Sequence, residues 1–143
     1  MMEAVKKDQL AALAAKRFEV VGSGDIDATM SILVDEPVFE LYPVGLQLAG
    51  QADVPRYYEH LFQTPKVRAE HLGTLFADNA IAFELKLTHQ PPSGDAEPFR
   101  LLAIMEMVDG RFTGERLYGD ERLFRILFGG PIWSLLKPVD GLS

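Results

Sequence analysis

The sequence contains no cysteine, one tryptophan, and 14 basic side chains against 21 acidic ones. The lack of cysteine excludes disulfide bonds, thiolate metal sites and cysteine nucleophiles. Because the formal net charge is -7, the protein repels phosphate backbones and anionic lipid surfaces, so neither nucleic acid nor a membrane is expected as a partner. No apolar run reaches membrane-spanning length, and the charged N-terminal segment does not fit a signal peptide. We therefore expect a cytoplasmic protein whose fold rests on packing alone.

The 143 residues, 48% of them hydrophobic, suffice for one domain with a continuous core. Apolar residues recur at three- and four-residue steps from Glu3 to Val21, which predicts an amphipathic helix. Asp25 is a good N-cap for a short second helix reaching about Leu33, and Pro37 is expected to close that stretch. A third helix is predicted from Asp53 to about Phe62, with Pro55 in its first turn.

Alternating apolar residues and turn signals predict a sheet. The predicted strands are a hairpin of Val38–Tyr42 and Leu46–Ala49, followed by four long strands, Val67–Phe76, Ala80–His89, Phe99–Val108 and Arg111 to about Asp120. Short turns require the four long strands to pair antiparallel. The strand from Phe99 is apolar on both faces, so we expect a second copy of the protein to cover the face that the helices leave open, giving a homodimer through the sheet. The apolar segment from Phe124 to Leu136 is expected to fold back as a cap or to extend an interface.

Several short segments resemble known proteins in their amino-acid sequence and in their spacing along the chain. The bacterial ketosteroid isomerases are matched by Lys16-Arg17-Phe18, Gly24-Asp25-Ile26-Asp27, Tyr42-Pro43-Val44-Gly45 and Gly50. The segment from Glu115 to Asp120, followed by Leu123, is similar to the last strand of SnoaL-like polyketide cyclases. The order of elements resembles that of the cone-shaped domains related to nuclear transport factor 2.

This resemblance implies an α+β fold in which three N-terminal helices pack on a strongly curved antiparallel sheet in the order ααββαββββ, with a C-terminal cap segment. Residues 1–127 would form the domain, and residues 128–143 would be an extension packing on the domain or on a dimer. The fold also implies an enclosed, largely apolar pocket for a small molecule.

The catalytic positions implied by the isomerases carry different side chains in this chain. Ketosteroid isomerases use an aspartate base, with a tyrosine and a protonated aspartic acid as the oxyanion hole. The matching positions are Tyr42, Phe18 and Glu106. A phenol with a pKa near 10 is a poor proton acceptor at neutral pH, and a phenyl ring donates no hydrogen bond. Glu106, kept protonated by its apolar neighbours, could still donate a hydrogen bond to a ligand oxygen, or it could pair with Arg116 or Arg100.

The resemblance to the cyclases points instead to Asp120, which matches their acid/base aspartate. A strand period of two would place Arg116, Tyr118 and Asp120 on one face. Asp120 could equally be the N-cap of a helix that begins near Glu121.

The remaining candidates are interpreted in two ways. Glu40 shares a strand face with Tyr42 and could replace the missing base, or it could be solvated. His71 could relay a proton or simply pack. The predicted pocket lining is Phe18, Met30, Glu40, Tyr58, His71, Phe83 and Tyr118, although the apolar and aromatic members could equally be core. No histidine pair has metal-ligand spacing and no nucleotide-binding motif is present, so neither a metal nor a cofactor is expected.

The resulting hypothesis is a cofactor-free enzyme of the isomerase, cyclase, hydrolase or lyase type, acting on a steroid-, polyketide- or terpenoid-like substrate. Asp120 would be the base, and Tyr42 and Glu106 would donate hydrogen bonds to the developing oxyanion. The alternative is a non-catalytic ligand-binding or dimerisation module of the same fold.

Overall fold

A computed structural model describes residues 2–63 and 65–140, with side chains from residue 6 onward. The helices are α1 (Met2–Ser23), α2 (Ile26–Ser31), α3 (Gly50–Gln63) and α4 (Glu121–Leu127), and a 3-10 turn spans Gly130–Leu135. The strands are β1 (Leu33–Tyr42), β2 (Leu46–Ala49), β3 (Val67–Phe76), β4 (Ala80–His89), β5 (Glu97–Val108), β6 (Arg111–Gly119) and β7 (Lys137–Pro138). None of the helices within the described residues is long and apolar enough to cross a membrane.

All seven strands form one curved sheet in the order β3-β4-β5-β6-β1-β2-β7. Neighbouring strands run antiparallel, as predicted for β3 to β6, except that β1 and β6 pair in parallel. The helices pack against one face of the sheet, called the inner face below; the opposite face is called the outer face. The predicted α+β fold of helices on a curved sheet is confirmed.

The core lies between the inner face and the helices. Alternate residues of the strands point into it because successive strand side chains face opposite ways. Leu41 on β1 and Met105 on β5 are examples, and both are buried. The predicted extension of residues 128–143 is described up to residue 140. Its Phe128 is fully buried and stacks on Tyr57 of α3, with ring centroids 4.2 Å apart. The C-terminal segment therefore packs on the domain core.

The boundary between α2 and β1 differs from the prediction. The helix ends at Ser31, and β1 begins at Leu33, so Pro37 lies inside a strand that was expected to start after it. The ladder between β1 and β6 is irregular between Leu33 and Val38. Pro37 is tolerated there because a proline, which lacks an N–H, fits where a ladder is interrupted.

Helix α3 begins at Gly50, three residues before the predicted start at Asp53. Pro55 consequently lies within the helix instead of in its first turn. The carbonyl of Gln51 receives no main-chain hydrogen bond from it, because proline has no N–H to donate. Strand β5 likewise starts at Glu97, two residues earlier than predicted.

Candidate functional site

A cavity of about 250 Å³ lies between helices α1 and α3 and the inner face of strands β3 to β6. Most of its lining is apolar: Phe18, Val21, Leu61, Phe62, Pro65, Val67, Ala69, Phe83, Leu85, Leu87, Leu101, Ala103, Leu117 and Leu127. The polar side chains in the lining are Arg17, Tyr57 and Glu115. A concave apolar cavity with a few converging polar groups is the usual form of a small-molecule site.

Arg17 on α1 and Glu115 on β6 form an ion pair in this cavity. The Arg17 Nη2 atom donates to Oε1 of Glu115 at 3.1 Å and to Oε2 at 3.2 Å. The Arg17 side chain is 17% exposed and the Glu115 side chain 4%. Burial is the largest influence and disfavours the charge of Arg17, but attraction to Glu115, the two tyrosines and the hydrogen bond to Glu115 together outweigh burial and raise the Arg17 pKa above its ordinary value. Because removing either partner would leave the other buried and unpaired, the two charges depend on each other.

Two neighbouring tyrosines of α3 flank the ion pair. Tyr57 lines the cavity, whereas Tyr58 is buried beside it. The pKa values of both phenols are raised, first by burial and then by the negative charge of Glu115, while Arg17 acts in the opposite direction. Both tyrosines are therefore neutral at physiological pH. The Tyr57 hydroxyl can donate a hydrogen bond to a molecule in the cavity.

Strand β6 carries a β-bulge at Gly114, directly before Glu115. Ile104 pairs with Arg116 and Met107 pairs with Phe112, so β6 uses one more residue than β5 over this stretch. Phe112 and Glu115 both face inward because of the additional residue. Gly114 has a φ of +137°, and a Cβ at this position would lie 2.6 Å from the carbonyl carbon of Val38 and closer still to its oxygen. Only glycine fits this approach of the two strands.

Tyr42 and Glu106 lie on the outer face, so the expectation that they face a pocket with Asp120 is wrong. Their neighbours Leu41 and Met105 point inward, and strand alternation turns them outward. The Tyr42 hydroxyl donates to Glu40 at 3.0 Å, which also lies on the outer face. Burial, followed by this hydrogen bond, raises the pKa of Tyr42.

Tyr42 and Glu106 both contact other side chains of the outer face. Glu106 accepts a hydrogen bond from Arg116 in an ion pair. Tyr118 is 40% exposed and stacks on Tyr42 with ring centroids 5.3 Å apart. Glu106 is therefore engaged by an arginine, the alternative that the sequence left open. Tyr118 and Glu40, both predicted to line the pocket, do not line the cavity.

Asp120 is exposed and caps helix α4. Its carboxylate accepts from the backbone N–H of Arg122 at 2.7 Å. The Arg122 guanidinium pairs with Glu97 at 2.7 Å. Asp120 does not line the cavity, so the expected convergence of Asp120 and Glu106 on one pocket is wrong. The strand ends at Gly119, and the cap geometry directs the carboxylate to the helix instead.

Phe18 and Phe83 do line the cavity, with their rings edge to face at 5.1 Å. Phe18 is 43% exposed, which places it at the mouth. His71 lies beside both rings, 6.3 Å from Phe18 and 5.5 Å from Phe83, but it is exposed and its Nε2 contacts the Thr74 hydroxyl at 2.7 Å. Met30 packs at the edge of the core and Tyr58 lies behind the lining, so neither contacts the cavity.

Two polar residues of the lining, Arg17 and Glu115, were not predicted to face a pocket. Arg17 follows Leu10 and Ala14 at helical spacing on the buried side of α1, so it is a cation within an apolar stripe. Glu115 lies two residues before the buried Leu117, so it is an acid on the buried face of β6. A charged residue within each of two apolar faces is the signal that could have indicated the pair, since buried charges usually pair with each other.

The cone-like packing of helices on a curved sheet, with a cavity between them, defines a domain of the nuclear transport factor 2-like class. The profile of the SnoaL-like domain matches residues 14–115, so the chain belongs to the SnoaL-like domain family. A comparison with curated protein sequences finds no significant match.

Three solved structures illustrate the similarity in fold. The Delta 5-3-ketosteroid isomerase from Mycobacterium sp. is 22% identical, with a TM-score of 0.66, over 80% of this chain and 95% of that one. An LEH-like epoxide hydrolase from M. tuberculosis is 16% identical, with a TM-score of 0.67, over 84% and 90%. SalBIII, an epoxide hydrolase/cyclase-like enzyme described in pyran ring formation in the polyether salinomycin, is 18% identical, with a TM-score of 0.69, over 85% and 96%.

Proposed function

We propose that this SnoaL-like domain binds a small, largely apolar molecule in the cavity and catalyses a proton transfer on it, with Glu115 as the proton acceptor. The observation that carries the proposal is a carboxylate, 4% exposed, that lines an otherwise apolar cavity and is paired with Arg17. A steroid-, polyketide- or terpenoid-like substrate suits this lining. The similar structures include a ketosteroid isomerase and epoxide hydrolase-like enzymes, which supports an isomerase, cyclase, hydrolase or lyase.

The cavity groups divide naturally into an acceptor and donors. Arg17 holds the Glu115 carboxylate in place through two hydrogen bonds, and this carboxylate is the group that accepts a proton. Arg17 and Tyr57 can donate hydrogen bonds to a ligand oxygen on which negative charge develops. Such donors are most effective where water is excluded and the side chains are already positioned. Glu115, Arg17 and Tyr57 thereby replace Asp120, Glu106 and Tyr42 in the roles expected from the resemblance.

The alternative is a domain that binds a ligand without changing it. One observation favours it: both oxygens of Glu115 already accept hydrogen bonds from Arg17, so the carboxylate is engaged before a ligand binds. The two functions share the ligand site and differ only in whether Glu115 takes a proton.

The ring opening of 5-nitrobenzisoxazole distinguishes the two functions. A base removes the single C–H proton of the heterocycle, the N–O bond breaks, and a coloured cyanophenolate forms. We expect the protein to accelerate this reaction and Glu115→Gln to lower kcat/KM by about a hundredfold or more, since general base catalysis contributes about that factor. Glu106→Gln, on the outer face, is the matched control and should retain the rate.

A Glu115→Gln variant as active as the original protein would contradict the assignment of the base. An original protein that binds the compound without accelerating its ring opening would favour the binding module. Screening the folded protein by native mass spectrometry against steroids, polyketides and terpenoids then identifies the class of ligand.

We further propose that a second copy of the chain covers the outer face of the sheet. Leu102 and Ile104 are half-buried on this face, and Tyr118 is exposed beside them. Ion pairs of opposite sign, Arg116 with Glu106 and Arg100 with Glu84, surround this apolar strip. In a dimer with a two-fold axis, the apolar strip of one copy can pack on the same strip of the other, and the positive groups around it can face the negative groups of the partner.

A further inference from the structure

The polar groups of the cavity lie at one end of it. Glu115 is on β6, whereas Val67 and Ala69 of the lining are on β3, three strand spacings away. An elongated ligand therefore meets Arg17 and Glu115 with one end only, and its remainder contacts apolar side chains.

The ion pair leaves hydrogen-bonding capacity on both partners. A guanidinium carries five N–H donors, and Glu115 occupies those of Nη2. Among the residues that the structure describes, the Nε and Nη1 donors make no hydrogen bond of normal length and angle, although the Tyr58 hydroxyl lies within reach of the guanidinium. In the same residues no fully buried side-chain nitrogen or oxygen lacks a partner, so these donors reach accessible space. Each Glu115 oxygen likewise keeps a lone pair beyond the one that Arg17 uses.

The pair is also neutral as a unit. A carboxylate or phosphate on the ligand would be attracted by Arg17 but repelled by Glu115. An ammonium group would be attracted by Glu115 but repelled by Arg17. In both cases one buried charge would remain without compensation, which is costly in an apolar site. A neutral group that donates to Glu115 and accepts from Arg17 incurs no such cost.

We propose that the cavity selects neutral ligands that carry a hydrogen-bond donor and an acceptor side by side at one end of an apolar body. A cyclic amide, a hydroxy ketone and an enolised 1,3-diketone have this arrangement. The donor binds the Glu115 carboxylate, and the acceptor receives the free N–H groups of Arg17. This selectivity rests on the proposed function only in taking the same cavity as the ligand site, because it concerns binding and not turnover.

A matched set of bicyclic probes of nearly equal size tests the selectivity. 2-Quinolone carries N–H and C=O side by side, 2-naphthol carries a donor, quinoline an acceptor, naphthalene neither, and 2-naphthoate a negative charge. Dissociation constants are measured by protein-detected NMR titration, which also reports whether residues of the cavity respond. We expect 2-quinolone to bind roughly tenfold tighter than each of the other probes, since hydrogen bonds to charged partners exceed those between neutral groups. Equal or tighter binding of 2-naphthoate would overturn the proposal.

The double substitution Arg17→Met and Glu115→Met replaces the pair by apolar side chains of similar length, which folded proteins often tolerate. We expect the preference for 2-quinolone over naphthalene to fall to about one in this variant, while Glu106→Gln keeps the original preference. A preference that survives the double substitution would overturn the proposal. If the preference holds but Glu115→Gln retains ring-opening activity, the proposed catalysis fails and the selectivity stands; the reverse pattern refutes the selectivity alone.

Discussion

Replacing Gly114 by alanine is the substitution whose effect the backbone geometry defines best. Gly114 has a φ of +137°, which residues with a Cβ rarely adopt, and its added methyl group would lie 2.6 Å from the carbonyl carbon and 2.8 Å from the nitrogen of Val38. These are backbone atoms of the neighbouring strand β1, so no side chain can move aside. Either β1 and β6 separate, or the bulge changes its conformation.

Both outcomes cost stability. An unfavourable backbone conformation costs about 1–3 kcal/mol, and an extra methyl group in a packed site adds about 1–3 kcal/mol. We therefore expect Gly114→Ala to lower the free energy of unfolding by about 3 kcal/mol or more. For a chain of this length, that corresponds to a fall in Tm of about 10 °C.

Thermal and urea unfolding followed by circular dichroism measure this change. The control is Gly22→Ala in helix α1, where an added Cβ has no atom within 4 Å. It should be neutral or slightly stabilising, because alanine favours helix over glycine by up to about 1 kcal/mol. Gly114→Ala should also reduce ring opening of 5-nitrobenzisoxazole, since the bulge directly precedes Glu115. A Gly114→Ala protein within about 1 kcal/mol of the original would refute the inferred role of the bulge.

Three further predictions concern the buried phenols, the cap and the outer face. Because Tyr57 and Tyr58 have raised pKa values in the folded protein, the unfolded chain loses these protons first as the pH rises above about 10, and stability should fall by about 1.4 kcal/mol per pH unit for each tyrosine. Tyr57→Phe should remove one of these two contributions. If the phenols instead ionise freely in the folded protein, the free energy of unfolding measured with urea between pH 9 and 11 would not fall with pH. Asp120→Ala should lower stability by about 1 kcal/mol through loss of the helix cap and leave ring opening unchanged; a large loss of turnover in the folded variant would restore a catalytic role. Ile104→Glu should convert a dimer into a monomer in sedimentation velocity, whereas a monomeric original protein would contradict the proposed second copy.

The fold could be predicted from the sequence where periodicity was strong. The bounds of β3 and β4 agree with the structure. In β4 the pattern was clear because Ile81, Phe83 and Leu87 alternate with more polar residues over the length of the strand. The start of β1 was missed because Pro37 is typical of a strand end, whereas the irregular ladder with β6 accommodates it. That accommodation depends on the partner strand, which local sequence does not specify.

The candidate site was harder to predict because it depends on which way each strand residue faces. On β5 the side chain of Met105 is buried, whereas that of the next residue, Glu106, lies on the outer face, since a shift of one residue inverts the side of a strand. Glu115 lies two residues before the buried Leu117, so strand alternation places it on the inner face, and the bulge at Gly114 allows Phe112 to face inward as well. The prediction followed the alternate set of Arg116, Tyr118 and Asp120, so a carboxylate in the lining was overlooked beside outer-face groups that resembled catalytic ones.

The parallel contact between β1 and β6 has a consequence for how the chain folds. During synthesis β1 can pair with β2 soon after both appear, but its other edge waits for β6, the last of the long strands. Arg17 waits as well, since Glu115 lies 98 positions later in the sequence. Contacts between such distant segments slow folding because a long loop has to close before they form. The contact between β1 and β6 and the ion pair at the polar end of the cavity thus both require β6.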